Sequence, residues 1–223
     1  MGTAVLKTNL SDSIIQYIKN KIIKMSYKPG ERIVESKIAN ELSVSHSPIR
    51  EALRVLEKNR LVEHIPRKGV YVTELVEANI ESLFEIMTEL LVLVGKKTIK
   101  NADDKDIKNA TQIVEKIIAA AKVTDTEEYY NNVIAFGIFC LSICNDKLLE
   151  EIIFEFLPSI QRILYLSFAT HEDALTEGAA LLMKGTKAIS IRDKESTELL
   201  LRQWLAYEMA NAIKGLKTGN LLK

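Results

Sequence analysis

The segment SVSHSPIREALR, residues 43–54, combines hydrogen-bonding and cationic side chains at helical spacing. Arg50 and Arg54 lie four residues apart, so both would project from one face of a helix. An arginine guanidinium can donate two hydrogen bonds to O6 and N7 of guanine, while serine hydroxyls and helix N-terminal amides can bind phosphate. The segment therefore has the chemistry of a helix that reads DNA.

The opposite face of this segment is apolar, which predicts that a helix is held there by packing. The apolar positions follow the i, i+3, i+4, i+7 rule and are Ile49, Ala52, Leu53 and Leu56. We expect a helix from about His46 to Asn59, with Ser45 as its N-cap and Pro48 in its first turn. A shorter helix over residues 35–42 and a tight turn at residues 43–45 precede it, so the two predict a helix-turn-helix.

A basic hairpin is predicted directly after the helix-turn-helix. Two short segments show the alternation of strands, and they contain Val62, His64, Val70 and Val72. The loop between them is PRKG, in which Gly69 can adopt the positive φ that such turns often need. Arg67 and Lys68 lie at its tip, so the hairpin would form a wing that contacts phosphates or the minor groove.

The rest of the chain has helical periodicity. An apolar stripe over residues 11–26 predicts a first helix, with Ser11 as its N-cap and an end before Pro29-Gly30. From Glu74 to the C-terminus six further amphipathic segments follow one another, and Pro158 is expected to bend the fourth. The predicted fold is mostly α: a winged helix-turn-helix over residues 1–75 and an all-α six-helix bundle over residues 76–223.

Composition and charge favour a globular protein with a polyanionic partner over a membrane protein or an enzyme. Hydrophobic residues make up 47% of the chain and charged residues 27%, as in globular proteins. No long apolar run or signal segment is evident, so we expect a cytoplasmic protein without a membrane partner. Residues 1–75 carry 13 Lys and Arg against 8 Asp and Glu, which favours a polyanionic partner for this half. The chain lacks a glycine-rich phosphate loop and a nucleophile motif, so we predict no enzyme, no catalytic residues and no cofactor.

The N-terminal part resembles the GntR family of bacterial transcription regulators. The residues that carry the resemblance are KPGERIVESKIANELSVSHSPIREALRVLEKNRLVEHIPRKGVYV, and it covers nearly all of residues 11–73. It implies a homodimer on double-stranded DNA at a pseudo-palindromic operator, with the recognition helix in the major groove and the wing beside it. It also implies the DNA-facing groups Ser45, His46, Ser47, Arg50, Arg54, Lys68 and Gly69, to which we add Ser36 and Arg67.

Two of these positions depart from the common pattern of the family. His46 and Ser36 stand where many members have arginine, and both changes remove a permanent positive charge, so affinity or operator preference can differ. Two positions also have a simpler interpretation. Arg54 can pair with Glu51 or Glu57 on the helix surface, and His46 can be no more than an exposed polar residue.

The six-helix remainder resembles the shorter variety of FCD-type effector domain. Many such domains hold a divalent metal through one Asp and three His, but beyond residue 75 this chain has a single histidine, His171. The corresponding positions fall at Asn132, Phe136, Leu182 and Trp204, so we predict no metal site. Met87 and Leu91 occupy positions where relatives commonly have Arg and Glu.

The replacement of polar cavity residues leaves two alternatives open. Either the cavity is packed shut and the domain only dimerises, or it remains open and binds a small apolar or amphipathic effector. We therefore expect a homodimeric, sequence-specific regulator whose DNA affinity an effector can modulate. The resemblance implies a repressor, since repression is the commoner outcome in the family. The alternative is a ligand-independent regulator or an architectural DNA-binding protein.

Overall fold

The computed structural model describes the backbone of residues 2–169 and 172–218, and the side chains of residues 10–169 and 174–218. Within these ranges it is mostly α, as predicted. The elements are α1 (Gly2–Ile23), β1 (Arg32–Ile33), α2 (Glu35–Leu42), α3 (His46–Lys58), β2 (Val62–Ile65), β3 (Gly69–Val72), α4 (Glu77–Asn101), α5 (Asp104–Lys122), α6 (Thr126–Cys144), α7 (Lys147–Phe168), α8 (Glu172–Ser190) and α9 (Lys194–Thr218).

The chain divides into two compact units, which are described separately. The first unit comprises the described residues up to Leu75 together with Phe156–Arg162 of α7, and the second comprises Val76–Glu155 and the described residues from Ile163 to Thr218. The first unit contains the winged helix-turn-helix. Its three strands form an antiparallel sheet in which β3 lies between β1 and β2.

The core of the first unit joins the apolar faces of its helices and the inner face of its sheet. The predicted stripe of α3 is buried, as are one face of α1 and residues of all three strands. The largest members of this cluster are Ile14, Ile18, Ile22, Tyr27, Ile33, Ile38, Ile49, Leu53, Leu56 and Leu61. Because the apolar stripe of α3 is turned into this core, its polar residues are left at the surface.

The turn between α2 and α3 sets where the recognition helix begins. Ser43 adopts a left-handed conformation, with φ of 54° and ψ of 42°, and ends α2. Ser45 is extended, with φ of −75° and ψ of 166°, and occupies the N-cap position of α3 as predicted. Its hydroxyl makes no capping hydrogen bond, so Ser45 acts there through its backbone conformation.

The predicted start of α1 was wrong, whereas its end lies before Pro29-Gly30 as expected. The helix begins at Gly2, so Ser11 lies inside it and is not an N-cap. No proline or glycine interrupts residues 3–23, and one polar serine does not stop a helix that continues on both sides. The helix ends at Ile23, before Pro29-Gly30, because Met25 has a φ of 58° and the Tyr27 amide donates to the Lys21 carbonyl at 3.0 Å.

Residues of α7 complete the first unit. Arg162 is 2% exposed, and its Nη1 donates to the Thr73 carbonyl at 2.9 Å and to Thr73 Oγ1 at 3.0 Å. Ser159 Oγ donates to the Asn59 carbonyl at 3.2 Å. Burial lowers the pKa of Arg162 to about 10, and the nearby Glu74 carboxylate opposes that shift. Pro158 lies within α7, and the bend expected there stays a prediction.

The second unit is a bundle of helices. Helix α4 packs against α6 and α9, α5 packs against α6 and α8, and α8 packs against α9. Arg192 binds two carbonyls at the C-terminal end of α4, donating from Nη1 to Ile99 at 2.6 Å and from Nη2 to the C-cap residue Ala102 at 2.8 Å. Among the helices of the described residues, none combines the length and apolar character needed to cross a membrane.

Candidate functional site

The exposed end of α3 forms the first part of a candidate DNA interface. All five polar residues predicted to face DNA from this helix and its N-cap are exposed, and they are Ser45, His46, Ser47, Arg50 and Arg54. The Arg50 side chain is 66% exposed and the His46 side chain 52%. Ser36 is exposed on α2. The helix therefore presents a histidine and two guanidinium groups on the face opposite its buried stripe, and its N-terminal amides at its exposed end.

The β2–β3 hairpin supplies the basic tip that the sequence predicts. Val62 pairs with Val72 and Ile65 with Gly69, and the Lys68 amide closes the turn by donating to the Ile65 carbonyl at 3.0 Å. Gly69 has a φ of 108°, and Arg67, for which no special conformation was predicted, has a φ of 65°. Arg67 and Lys68 are exposed, so two cations lie at the tip of the loop.

Sequence reasoning missed a further cation next to this hairpin. Arg32 lies on the two-residue strand β1, opposite Tyr71 of β3. A Cβ atom built on Gly69 would lie 3.4 Å from Arg32 Nε, so the exposed guanidinium borders the hairpin loop. The signal was weak because a strand of two residues has no periodicity to recognise.

The polar face of α3 also contacts a carboxylate that sequence reasoning missed. Glu35 Oε2 accepts a hydrogen bond from Arg50 Nε at 2.8 Å and lies 3.8 Å from His46 Nδ1. Arg50 and Glu35 border a groove of about 330 Å³ that Arg54, Glu57 and His64 also line. Sequence alone could not pair Glu35 with Arg50, since 15 residues separate them.

The alternative partners proposed for Arg54 are not seen in the described residues. Arg54 forms no ion pair with Glu51 or Glu57 there; Glu57 Oε1 instead accepts a hydrogen bond from the His64 backbone amide at 3.1 Å. Two acidic side chains of this surface, Glu35 and Glu57, are thus already engaged within the protein. The guanidinium of Arg54 remains available at the surface.

The six predicted cavity positions have different surroundings in the second unit. Met87 is 1% exposed, Trp204 6% and Leu182 8%, whereas Leu91, Asn132 and Phe136 are half-buried. No hydrogen bond joins any two of these six described side chains. Asn132 Nδ2 donates to the carbonyl and to Oε1 of Glu128, both at 2.8 Å, so its amide is bound to its own helix.

These positions do not fit a divalent metal. Phe136 and Leu182 offer no donor atom, and the indole nitrogen of Trp204 carries a hydrogen and cannot bind a cation. Nowhere in the part of the chain that the structure describes do three or more His, Cys, Asp or Glu side chains come together as metal ligands. The side chains at these positions therefore do not fit the divalent metal that the sequence resemblance implies.

A buried polar cluster surrounds Trp204 instead, formed by Tyr129 of α6, Ser167 of α7 and Glu208 of α9. Glu208 is 1% exposed, and its Oε2 accepts a hydrogen bond from Ser167 Oγ at 2.5 Å. Burial raises the pKa of Glu208 to about 8, and the Ser167 hydrogen bond only partly opposes this shift. Within the described residues, Glu208 Oε1, Tyr129 Oη and Trp204 Nε1 have no hydrogen-bond partner.

Helix α8 approaches this polar cluster through Gly178. A Cβ atom at Gly178 would lie 2.7 Å from Tyr129 Oη and 2.8 Å from Glu208 Oε1, so a larger residue would force these buried side chains to move. Sequence reasoning missed Glu208, although its spacing carries a signal. It lies four residues after Trp204 and four before Ala212, which are both buried, and therefore falls on the apolar stripe of α9.

Comparison with protein families decides which group of proteins these two units belong to. Residues 10–72 match the model of the bacterial regulatory proteins of the gntR family, and residues 82–207, more than half of the chain, match the model of the FCD domain. The chain belongs to the GntR family. It carries the family's DNA-binding helix-turn-helix domain, followed by an FCD domain.

Two curated relatives of this GntR-family chain come from Bacillus subtilis. The uncharacterized HTH-type transcriptional regulator YdhC is 37% identical over 90 residues, which are 40% of this chain and 40% of that protein. The gluconate operon transcriptional repressor is 28% identical over 112 residues, which are 50% of this chain and 46% of that protein. The chain thus spans less than half the length of each of these two relatives.

A solved structure resembles this GntR-family chain over most of its length. The structure of Escherichia coli McbR/YncC has a TM-score of 0.81 at 22% identity, and the match covers 92% of this chain and 97% of that one. At this level of identity the likeness concerns the fold. The order of a winged helix-turn-helix and a helical domain is therefore shared with a solved structure.

Proposed function

We propose that this protein is a sequence-specific DNA-binding transcription regulator that acts in the cytoplasm as a homodimer and has no enzymatic activity. The observation that carries the proposal is the exposure of His46, Ser47 and Arg50 at the start of α3, in the same unit as a hairpin tip with two cations. Arg50 would read a base edge in the major groove, while serine hydroxyls and helix N-terminal amides would bind phosphate. Ser36, Ser45, Arg54 and Gly69 complete the proposed contact surface.

We further propose that the protein binds its operator as a homodimer and represses transcription. In the helix-turn-helix arrangement, two recognition helices enter successive major grooves about 34 Å apart, and the operator is pseudo-palindromic. The name of the related gluconate operon transcriptional repressor supports repression as the outcome. The second unit would supply the dimer contacts.

A selection from a duplex library with a random centre tests the proposal and identifies the operator motif at the same time. We expect the full-length protein to enrich one pseudo-palindromic motif whose half-sites are centred about 10 base pairs apart. Sedimentation should give a free protein with twice the 25.1 kDa chain mass. An architectural protein would retain DNA without enriching a motif, and a monomer would enrich a single half-site.

Modulation by an effector is the second part of the proposal. The second unit would bind a small amphipathic molecule rather than a pure hydrocarbon. Tyr129 Oη, Trp204 Nε1 and Glu208 Oε1 support this choice, since each buried group without a hydrogen bond costs about 1–3 kcal/mol that a polar ligand atom could recover. Binding would require helix α8 to move, because Gly178 packs directly against two of these atoms. A thermal-shift screen of amphipathic and aromatic compounds should find a ligand that raises the unfolding temperature with its concentration. If none does, the second unit serves dimerisation alone.

The hairpin contact predicts a uniform, salt-dependent loss of affinity. Lys68→Ala should weaken binding to all duplexes by a similar factor, because a lysine at a phosphate carries no sequence information. The slope of log affinity against log salt concentration should become shallower by about one. Lys122→Ala, an equal change of charge at an exposed position in the second unit, is the control and should leave the slope unchanged. A loss confined to the enriched motif would contradict the phosphate assignment.

A further inference from the structure

An acidic side chain lies in the middle of a surface proposed to bind a polyanion. Glu35 is the first residue of α2, and its side chain is 28% exposed. Its Oε2 atom is 2.8 Å from Arg50 Nε and 3.8 Å from His46 Nδ1. A carboxylate repels the DNA backbone, so its presence beside two proposed DNA-binding groups requires an explanation.

The Glu35 carboxylate binds Arg50 through Nε and not through the two terminal nitrogens of the guanidinium. Glu35 contacts Nε, and within the described residues Nη1 and Nη2 have no partner. These two terminal nitrogens carry four N–H donors and form the end of the guanidinium fork. A guanine requires two parallel donors for O6 and N7, and the free end of the fork supplies them. The ion pair thus leaves the base-reading end of Arg50 free.

The same ion pair restricts the directions in which Arg50 can point. A free arginine loses much side-chain freedom when it binds, and a contact made before binding reduces that loss. It also keeps Arg50 from turning toward the nearest phosphate, since the guanidinium is already bound on one edge and its charge is offset. Surface ion pairs contribute little to folding, so stability does not account for Glu35.

We propose that Glu35 is a positioning residue that directs the free end of the Arg50 guanidinium toward a guanine and lowers its affinity for phosphate. The inference rests on the proposed DNA-binding function and adds a residue that determines selectivity. Glu35 itself contacts no base. Its negative charge reduces binding to arbitrary sequence, while its hydrogen bond to Nε raises discrimination at one base pair of each half-site.

The test compares the base preferences of four full-length proteins in the duplex-library selection. They are the wild type, Glu35→Gln, Glu35→Ala and the control Glu41→Gln. Glu41 is a matched control because it lies on the same helix and pairs with Lys21 at a similar distance, 2.8 Å. In both Glu35 variants we expect guanine preference at one position per half-site to fall about threefold to tenfold, as for coupled neighbouring residues. Affinity for random duplex should rise severalfold.

Two further measurements separate positioning from a structural role. Unfolding temperatures of the Glu35 variants should match that of Glu41→Gln within experimental error, because both remove an exposed ion pair. In an Arg50→Ala background, Glu35→Gln should no longer change guanine preference at any position, since the residue through which it acts is absent.

Several outcomes would overturn the inference. In the library selection, these are unchanged base preferences in both Glu35 variants, or a loss of affinity that is equal for all duplexes. In the two further measurements, they are a drop in unfolding temperature that Glu41→Gln does not share, or a change of guanine preference by Glu35→Gln that persists in the Arg50→Ala background. A wild type that enriches no motif would instead show that the proposed DNA-binding function has failed, and the inference with it.

Discussion

Replacing Glu208 with glutamine should remove a large pH-dependent loss of stability from the second unit. Burial raises the pKa of Glu208 to about 8 from its ordinary value of 4.5. Between these two values the folded protein holds a proton that the unfolded chain has released. The favourable contribution is therefore complete below about pH 4.5 and is lost as pH rises to about 8. Glutamine has nearly the same shape and does not titrate.

The size of this effect follows from the difference between the two pKa values of Glu208. At about 1.4 kcal/mol per unit of pKa, the span from 4.5 to about 8 corresponds to roughly 5 kcal/mol at most. Relative to the wild type, Glu208→Gln should therefore gain about 3–5 kcal/mol of stability between pH 5 and pH 9. Chemical denaturation followed by fluorescence reports on this unit selectively, because Trp204 is the one tryptophan of the chain.

A control variant on the same helix makes this result specific. Glu195 is exposed in the first turn of α9, so Glu195→Gln removes one carboxyl group without emptying a buried site. Its stability should follow that of the wild type across the same pH range. If the curves of Glu208→Gln and the wild type are parallel, then Glu208 is ionised in the folded protein and the argument from burial is wrong.

Replacing Arg50 with alanine should cause the largest loss of base discrimination. A bidentate contact between arginine and guanine contributes about 1–3 kcal/mol of preference over the wrong base, or roughly 5-fold to 150-fold. The loss should be confined to one base-pair position in each half-site of the enriched motif. Binding constants for the motif and for its single-base variants, measured at one salt concentration, give this quantity directly.

Arg50→Lys is the matched variant for this prediction. Lysine keeps the positive charge but lacks the planar fork that binds O6 and N7 together. We expect Arg50→Lys to retain the affinity for random duplex and to lose most of the discrimination at the same position. If both variants keep the wild-type preference at every position, Arg50 does not read a base and contacts at most the DNA backbone.

Hydrophobic periodicity and turn residues predicted those elements of the fold whose defining residues are neighbours in the sequence. The buried stripe of α3 repeats within two helical turns, and the hairpin has strand alternation on both sides of a Pro- and Gly-containing loop, so both could be predicted. The start of α1 could not, because a serine inside a continuous helix looks like a serine at its beginning. Strand β1 has two residues and exists only through its pairing with β3.

Side-chain contacts between residues that are far apart in the chain could not be predicted from the sequence. Glu35 and Arg50 belong to different helices, and nothing in their spacing indicates that Nε rather than the free end of Arg50 is bound. Glu208 lies on the apolar stripe of α9, yet its burial depends on α6, α7 and α8, which supply Tyr129, Ser167 and Gly178. The sequence indicated apolar replacements in the helical unit, and the position of Glu208 on the apolar stripe was its only signal of a buried acid.

The conformation of Arg67 has a consequence for any attempt to engineer a more robust variant. A left-handed φ of 65° is unfavourable for arginine but is readily adopted by glycine. Changing Arg67 to glycine would therefore relax the loop and remove a cation from its tip at the same time. A library ranked only by thermal stability would enrich this variant. Because we propose that Arg67 contacts DNA, the selected proteins would be more stable but should bind DNA more weakly.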